Sequence, residues 1–222
     1  MPAPLSVIIP TLNAGDNLQA CLTALMEGVE TGLITELIVS DGGSLDETLK
    51  LANAWGAHIV TGPASRGGQL QRGCAAARGE WFLVLHADTV LSAGWTKTVA
   101  THFATQKAGY FRLRFDRGGR VVAAWANLRA RLFGLPYGDQ GLLISRGLYA
   151  RVGGYAEIPL MEDVAIARAL KGQLVALDAV AVTSSEKYQK AGWMRRGTRN
   201  LWTLARYFAG VEVTTLARQY RR

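Results

Sequence analysis

The chain has 222 residues, 49% apolar and 19% charged, which suits one α/β domain with a substantial core and excludes intrinsic disorder. Its net charge of +8 is localised: residues 187–222 hold nine Lys/Arg and one acid, while the other 186 residues hold sixteen of each sign. A neutral body argues against nucleic-acid binding through the main domain, and no apolar run reaches the roughly 18–20 residues of a membrane span.

Met1 to Ser6 lacks the basic stretch of a secretory signal. The only cysteines, Cys21 and Cys74, lie in apolar, helix-like stretches, which predicts reduced core thiols in a cytoplasmic setting. Leu5 to Pro10 is a β-branched run of the kind that makes a buried parallel strand. Asn13 to Asp16 follow as turn and cap residues, then Leu18, Cys21, Leu22, Leu25 and Met26 at helical spacing. Glu36 to Ser40 predicts a second strand, ending at Asp41-Gly-Gly-Ser44, and Asp46 to Trp55 a helix. Ala57 to Thr61 predicts a third strand, Arg66 to Arg78 a helix, and Trp81 to Leu85 a fourth strand ending at His86-Ala-Asp88. This alternation implies a doubly wound, mostly parallel sheet with helices on both faces. Right-handed crossovers then bring Asp41 and Asp88 to one sheet edge, where such folds bind ligands.

Beyond Leu91 the pattern loosens. Gly94 to Ala104, Arg120 to Phe133 and Glu162 to Leu170 read as helices, and Gly109 to Phe115 alternates like an antiparallel strand. Leu142 to Ser145, Leu174 to Leu177 and Ala179 to Thr183 read as short strands, and basic, aromatic helix runs from about Trp193.

Three acidic positions carry candidate chemistry, each with a structural alternative. Asp41, beside Gly42 and Gly43, suits a nucleoside's ring N–H or ribose hydroxyls, or caps the helix from Asp46. Asp88 suits Mg²⁺ or Mn²⁺, which would hold a diphosphate, or caps a helix near Ser92. Glu162 and Asp163 offer a general base, or favour the dipole of the helix they open.

In order and spacing these segments resemble the family 2 glycosyltransferases, enzymes of the GT-A fold. Ser6 to Asn13 is similar to the family's opening strand, and Glu36 to Thr48 to its nucleotide-contacting motif. Leu85 to Asp88 stands in the place of the DxD motif, and Met161 to Asp163 in that of the ED motif. Leu85 to Thr89, Pro136 to Gly141 and Pro159 to Asp163 further resemble a bacterial subgroup of radical-SAM/selenodomain-associated transferases.

The resemblance implies a GT-A domain over 1–186, with a nucleotide half over about 1–91 and an acceptor half over 92–186, followed by a basic aromatic segment over 187–222. It implies inverting transfer from a nucleoside-diphosphate sugar, with Mn²⁺ or Mg²⁺. Asp163, beside Glu162, would be the base, and Asp88 and His86 would meet the metal. Pro10, Thr11, Asn13, Asp41, Gly43, Arg66 and Ala87 would line the nucleotide site. Arg72 would stand near the diphosphate or in a surface ion pair, and Asp139 and Gln140 would meet the acceptor or form a polar turn.

Two departures stand out. Gly42 replaces the second Asp of the family's usual pair, removing one ribose contact, and His86 replaces the first Asp of DxD. A neutral imidazole could ligate Mn²⁺ or simply pack at the sheet edge. Trp193, Met194, Trp202, Tyr207 and Phe208 among arginines would either lie on an anionic membrane, toward a lipid-linked acceptor, or pack on the domain. A sugar nucleotidyltransferase and a non-catalytic membrane module are the rival readings.

Overall fold

The apolar run at the N-terminus forms the parallel strand β1 (Leu5–Thr11) of the computed structural model, which describes residues 4–220. Residues 1–3 and the last two arginines of the basic tail lie outside the described residues. Five of the seven β1 side chains, from Leu5 to Ile9, are fully buried, because helices cover both faces of the sheet. Helix α1 (Gly15–Glu30) covers one face through Leu18, Cys21, Leu22 and Leu25. Strand β2 (Ile34–Asp41), helix α2 (Thr48–Ala54) and strand β3 (His58–Thr61) follow. Helix α3 (Arg66–Ala76) covers the other face and approaches closely because it carries glycines; a Cβ on Gly73 would stand 2.6 Å from Ile8 Cγ2. Strand β4 (Trp81–Val84) completes the parallel part, in the order β3-β2-β1-β4.

The second half mixes directions. Strand β5 (Thr89–Leu91) leads through helix α4 (Trp95–His102) to strand β6 (Ala108–Phe115) and helix α5 (Arg120–Phe133). A 3-10 turn (Gly138–Gln140) precedes strand β7 (Leu142–Ser145) and helix α6 (Arg146–Arg151). Helix α7 (Glu162–Ala169) and strand β8 (Leu174–Thr183) follow, then helices α8 (Glu186–Ala191), α9 (Trp193–Phe208) and α10 (Val213–Tyr220). The sheet continues β4-β7-β6-β8-β5, giving eight strands. β7 is antiparallel to β4 and β6, β6 is parallel to β8, and β5 is antiparallel to β8.

Three local readings change. The two final strands are one strand, β8, continuing through Asp178 with a register irregularity opposite Tyr110 to Arg112. Asp178 interrupts the apolar pattern because it points outward to Arg112, 2.8 Å away. β6 alternates only in its second half, since its first four residues are all buried, and its long partner β8 is parallel. β5 and α6 are too short to give a periodic signal.

Cys21 and Cys74 are buried free thiols, as expected. The basic segment packs on the domain: Leu204 of α9 and Leu216 and Ala217 of α10 join Leu160, Met161 and Val164 in a small core. Trp193 stacks on Tyr188 with ring centroids 5.0 Å apart. Met194, Leu201, Trp202 and Phe208 of α9 still face outward, as do Val121, Trp125, Leu128 and Leu132 at helical spacing on α5. Among the described residues no helix is long and apolar enough to cross a membrane.

Candidate active site

The C-terminal ends of β1 and β4 open onto a cleft of about 810 Å³ whose lining includes Pro10, Thr11, Asn13, Arg66, Gln69, Ala87 and Asp88. The loop after β1 lines one end of it and is tied to the loop after β2. Asn13, in the left-handed region at φ 49°, donates its N–H to Ser44 Oγ at 2.8 Å, and its Oδ1 accepts from Leu45 N at 2.9 Å. Asparagine tolerates that backbone better than other non-glycine residues. Asp41 lies behind this wall instead of in the cleft. It is fully buried, and its two oxygens accept from Thr11 Oγ1 at 2.8 Å, Ser44 Oγ at 2.5 Å, and Gly43 N and Ser44 N at 2.7 Å each. Burial pushes its carboxyl up, but these hydrogen bonds outweigh it and hold the group below its ordinary range. With four acceptor positions filled, Asp41 is an organiser of the turn, and Gly43, at φ 95°, supplies the backbone that the turn needs. Both residues, expected at the nucleotide, stand in this turn beside the cleft. Arg72 crosses Gly62 and donates to Pro63 O at 2.9 Å, fixing the β3–α3 loop.

At the end of β4, the pairing of β5 with β8 sets Thr89 opposite Thr183 and lets Ser184 N donate to Asp88 O at 3.2 Å. That contact delivers Lys187, which donates to Asp88 Oδ2 at 3.0 Å. Sequence reading assigns Lys187 only to the basic tail; its partner is 99 residues away, so only the β5–β8 pairing reveals it. Burial raises the Asp88 carboxyl, yet Lys187 and then His86 bring it below its ordinary value. His86 is held toward the neutral form, chiefly by burial. Its Nε2 edge lies against Gly138, where a Cβ would collide with it.

The third segment carries Glu162 and Asp163 at the start of α7. Met161, immediately before them, is a non-glycine residue at φ 66°, a strained conformation that packing must sustain. Its side chain is buried in the core beneath α9 and α10. Asp163 Oδ2 accepts from Gly138 N at 2.9 Å and Oδ1 from Val164 N at 2.7 Å, so each oxygen keeps a lone pair for a ligand. Glu162 is 1% exposed, with Oε2 unpartnered and Oε1 only 3.9 Å from Arg66 Nη1. Burial first, and the Asp163 charge second, push it to about 7 against the pull of Arg66. Arg66 is set there by Gly67, which donates to Ile158 O at 3.2 Å and leaves no room for a Cβ against Ala156 O.

A smaller cavity of about 120 Å³ adjoins the cleft and shares Arg66, His86, Asp88, Leu160, Lys187 and Tyr220 with it. Asp163 and Asp139 line the smaller cavity, with Tyr137, Tyr188 and Arg196. Asp139 is pushed up to about 6, mainly by burial, and its Oδ1 has no partner. Gln140, expected at the acceptor, is fully buried, donating to Phe111 O at 3.2 Å and accepting from Tyr137 N at 3.3 Å.

Divalent-cation fit rests on few groups. No cluster of three or more His, Cys, Asp or Glu side chains able to hold a metal occurs among the described residues. Asp88 offers hard carboxylate oxygen in the shared wall of both cavities, which suits Mg²⁺ or Mn²⁺ whose other ligands come from a diphosphate. The residues fit a cation shared with a ligand, not one caged by protein alone.

Residues 6–156 match the family described as glycosyl transferase family 2, and the chain belongs to that family. A glycosyltransferase of PGL/p-HBAD biosynthesis from Mycobacterium bovis is 39% identical over 99 residues, covering 41% of this chain and 38% of the relative. The chain thus spans well under half of the curated relatives it matches. Among solved structures, glucosyl-3-phosphoglycerate synthase from Mycobacterium tuberculosis, with Mn²⁺, uridine diphosphate and glucosyl-3-phosphoglycerate, aligns with TM-score 0.58 and 23% identity. That alignment covers 81% of this chain and 70% of that one. The mannosyltransferase PcManGT from Pyrobaculum calidifontis, with GDP-Man and Mn²⁺, aligns with TM-score 0.63 and 19% identity, covering 81% and 56%. The shared architecture is the GT-A fold.

Proposed function

We propose that this chain transfers a sugar from a nucleoside-diphosphate sugar to an acceptor hydroxyl with inversion at the anomeric carbon. The observation that carries this reading is the junction of two cavities at Asp88 and Arg66, with Asp163 facing only the smaller of them. The larger cleft would take the donor, its diphosphate beside Arg66 and Lys187, whose charges match phosphate oxygens. Asp88 would hold Mn²⁺ or Mg²⁺ against the diphosphate, and such a cation offsets the charge left on the departing nucleotide. The acceptor would enter the smaller cavity, between Asp139, Tyr137 and Tyr188. Asp163 then takes the hydroxyl proton as the acceptor oxygen bonds to the anomeric carbon, and the bond from that carbon to the diphosphate breaks. One displacement inverts the centre. The Gly138 N–H fixes Asp163 Oδ2 for this task.

The motifs at 85–89, 136–141 and 159–163 support placement in the radical-SAM/selenodomain-associated subgroup. The division at about residues 91 and 186 assigns donor and acceptor halves and a closing tail. A membrane-borne, lipid-linked acceptor is supported by the outward apolar side chains of α5 and α9, two helices with seven arginines and no acid.

Incubation with a panel of nucleoside-diphosphate sugars tests the reading. It predicts release of free nucleoside diphosphate and a product of opposite anomeric configuration by NMR. Release of pyrophosphate would instead show a nucleotidyltransferase, and retention of configuration would remove the single displacement.

A further inference from the structure

Resting on that donor cleft, we propose that Gln69 reads the nucleobase, its Oε1 accepting a hydrogen bond from a ring N–H. Gln69 is 5% exposed, yet it lines the cleft. Its Nε2 donates to Thr11 O at 2.7 Å and to Ser40 O at 3.1 Å, main-chain carbonyls at the ends of β1 and β2. Two carbonyls can only accept, so they fix which end of the amide is nitrogen. Oε1 is left facing away from them with no protein donor among the described residues. Oε1 is not among the sealed, unpartnered side-chain atoms, so it keeps some open surface, and the cleft is the cavity that Gln69 lines.

Gly42 belongs to the same arrangement. A Cβ there would stand 3.0 Å from Gln69 Cδ, 3.0 Å from Oε1 and 3.1 Å from Nε2. Those near-equal distances mean the amide lies face-on over Gly42, in space that any side chain at 42 would take. The sequence departure at Gly42 and the amide of Gln69 are thus two halves of one feature: a neutral acceptor from α3 occupies the ground that a residue-42 side chain would cover. Asp41 does not compete for this role, since its oxygens are filled by its own loop.

An acceptor oxygen discriminates among bases. Uracil carries N–H at N3 and guanine at N1, whereas cytosine N3 and adenine N1 are themselves acceptors. At that ring position Oε1 would oppose the lone pair of cytosine N3 or adenine N1, whose exocyclic amines reach it only if the base shifts, so uracil or guanine nucleotides are the ligand class.

Calorimetry on the intact chain with Mn²⁺ and UDP, GDP, CDP and ADP tests this, together with the preferred nucleotide methylated at its ring N–H and in its 2′-deoxy form. UDP or GDP should bind at least about tenfold more tightly than CDP and ADP, the size expected when a buried acceptor loses its donor. Ring methylation should erase the preference and 2′-deoxygenation should not. Gln69→Met should bring the four nucleotides to within about threefold of each other. So should Gly42→Ala, which displaces the amide without removing it; Gly42 has no left-handed backbone to complicate that change. A preference that survives both substitutions, or full binding of the ring-methylated nucleotide, would overturn the assignment. A preference lost on 2′-deoxygenation would move the contact to the ribose and overturn it equally. If no nucleoside diphosphate binds the wild-type chain, the donor cleft itself is refuted, an outcome distinct from binding without discrimination.

Discussion

Glutamine and glutamate fill nearly the same volume, so Glu162→Gln isolates the titration of one buried carboxyl. Burial raises its affinity for the proton most, the Asp163 charge adds to this, and Arg66 at 3.9 Å opposes both. The balance moves the group from 4.5 to about 7. Each tenfold gain in proton affinity corresponds to about 1.4 kcal/mol, so holding Glu162 ionised inside the fold costs on the order of 3 kcal/mol. The folded value is the higher one, so the stabilising contribution is fully present below about pH 4.5 and is lost as pH rises through about 7. Urea denaturation of both proteins from about pH 4.5 to about pH 8 should show Glu162→Gln gaining on the wild type as pH rises, by on the order of 3 kcal/mol. In melting temperature this corresponds to roughly 6–12 °C at this chain length. Asp139, pushed up to about 6, titrates in both proteins and cancels in the difference. Parallel stability curves across that window would refute the reasoning, because they would mean Glu162 is solvated or paired in the fold.

Other substitutions separate the roles of the remaining groups. Asp163→Asn should keep donor binding and lower turnover roughly 10²–10⁴-fold; near-normal turnover in a coupled nucleoside-diphosphate assay would remove Asp163 as the base. Asp88→Ala should abolish the metal dependence of nucleotide binding in calorimetry, and unchanged dependence would place the cation elsewhere. Gly138→Ala drives a methyl into His86 and disturbs the N–H held by Asp163, so it should cost about 1–3 kcal/mol by denaturation and lower turnover as well. Trp125→Glu and Trp202→Glu, both at exposed positions, should leave the melting temperature within about 2 °C and reduce co-sedimentation with anionic vesicles. Equal sedimentation of both variants with the wild type would take the membrane out of the reading.

The first half of the chain is the more legible in sequence because its signals are local. A parallel strand buried on both faces writes itself as an unbroken apolar run, and β1, β2 and β4 each do so before a polar turn. Asp88 and Asp163 can be picked out for the same reason, each standing at the end of an apolar stretch. What a sequence does not show is which way a carboxylate faces. Asp41 and Asp88 both follow strands at one edge, yet one is consumed by its own turn and the other borders both cavities. Gln140 reads as a polar loop residue and is a core amide, because the 3-10 turn rolls it inward toward Phe111. Lys187 and Gln69 carry no motif; their partners lie 99 and 58 residues away.

The surroundings of Asp163 are harder to read because their geometry depends on residues defined by what they lack. Gly138 has no side chain, which lets the imidazole of His86 lie against the 3-10 turn while its own N–H reaches Asp163. Gly67 has none either, which lets α3 seat Arg66 beside Glu162. Through these two contacts the end of β4, the start of α3 and the start of α7 are held at one point. Met161 at φ 66° is the strained element of that junction, anchored by the core formed with Leu204 and Leu216. The tail therefore does more than carry charge: by packing on Met161 it holds the backbone that presents Asp163, and by placing Lys187 on Asp88 it reaches the larger cleft as well. Asp163 and Asp88, the proposed base and cation ligand, are thus both secured by the last 36 residues of the chain, which is why the excess charge and these two carboxylates, far apart in sequence, belong to one structural unit.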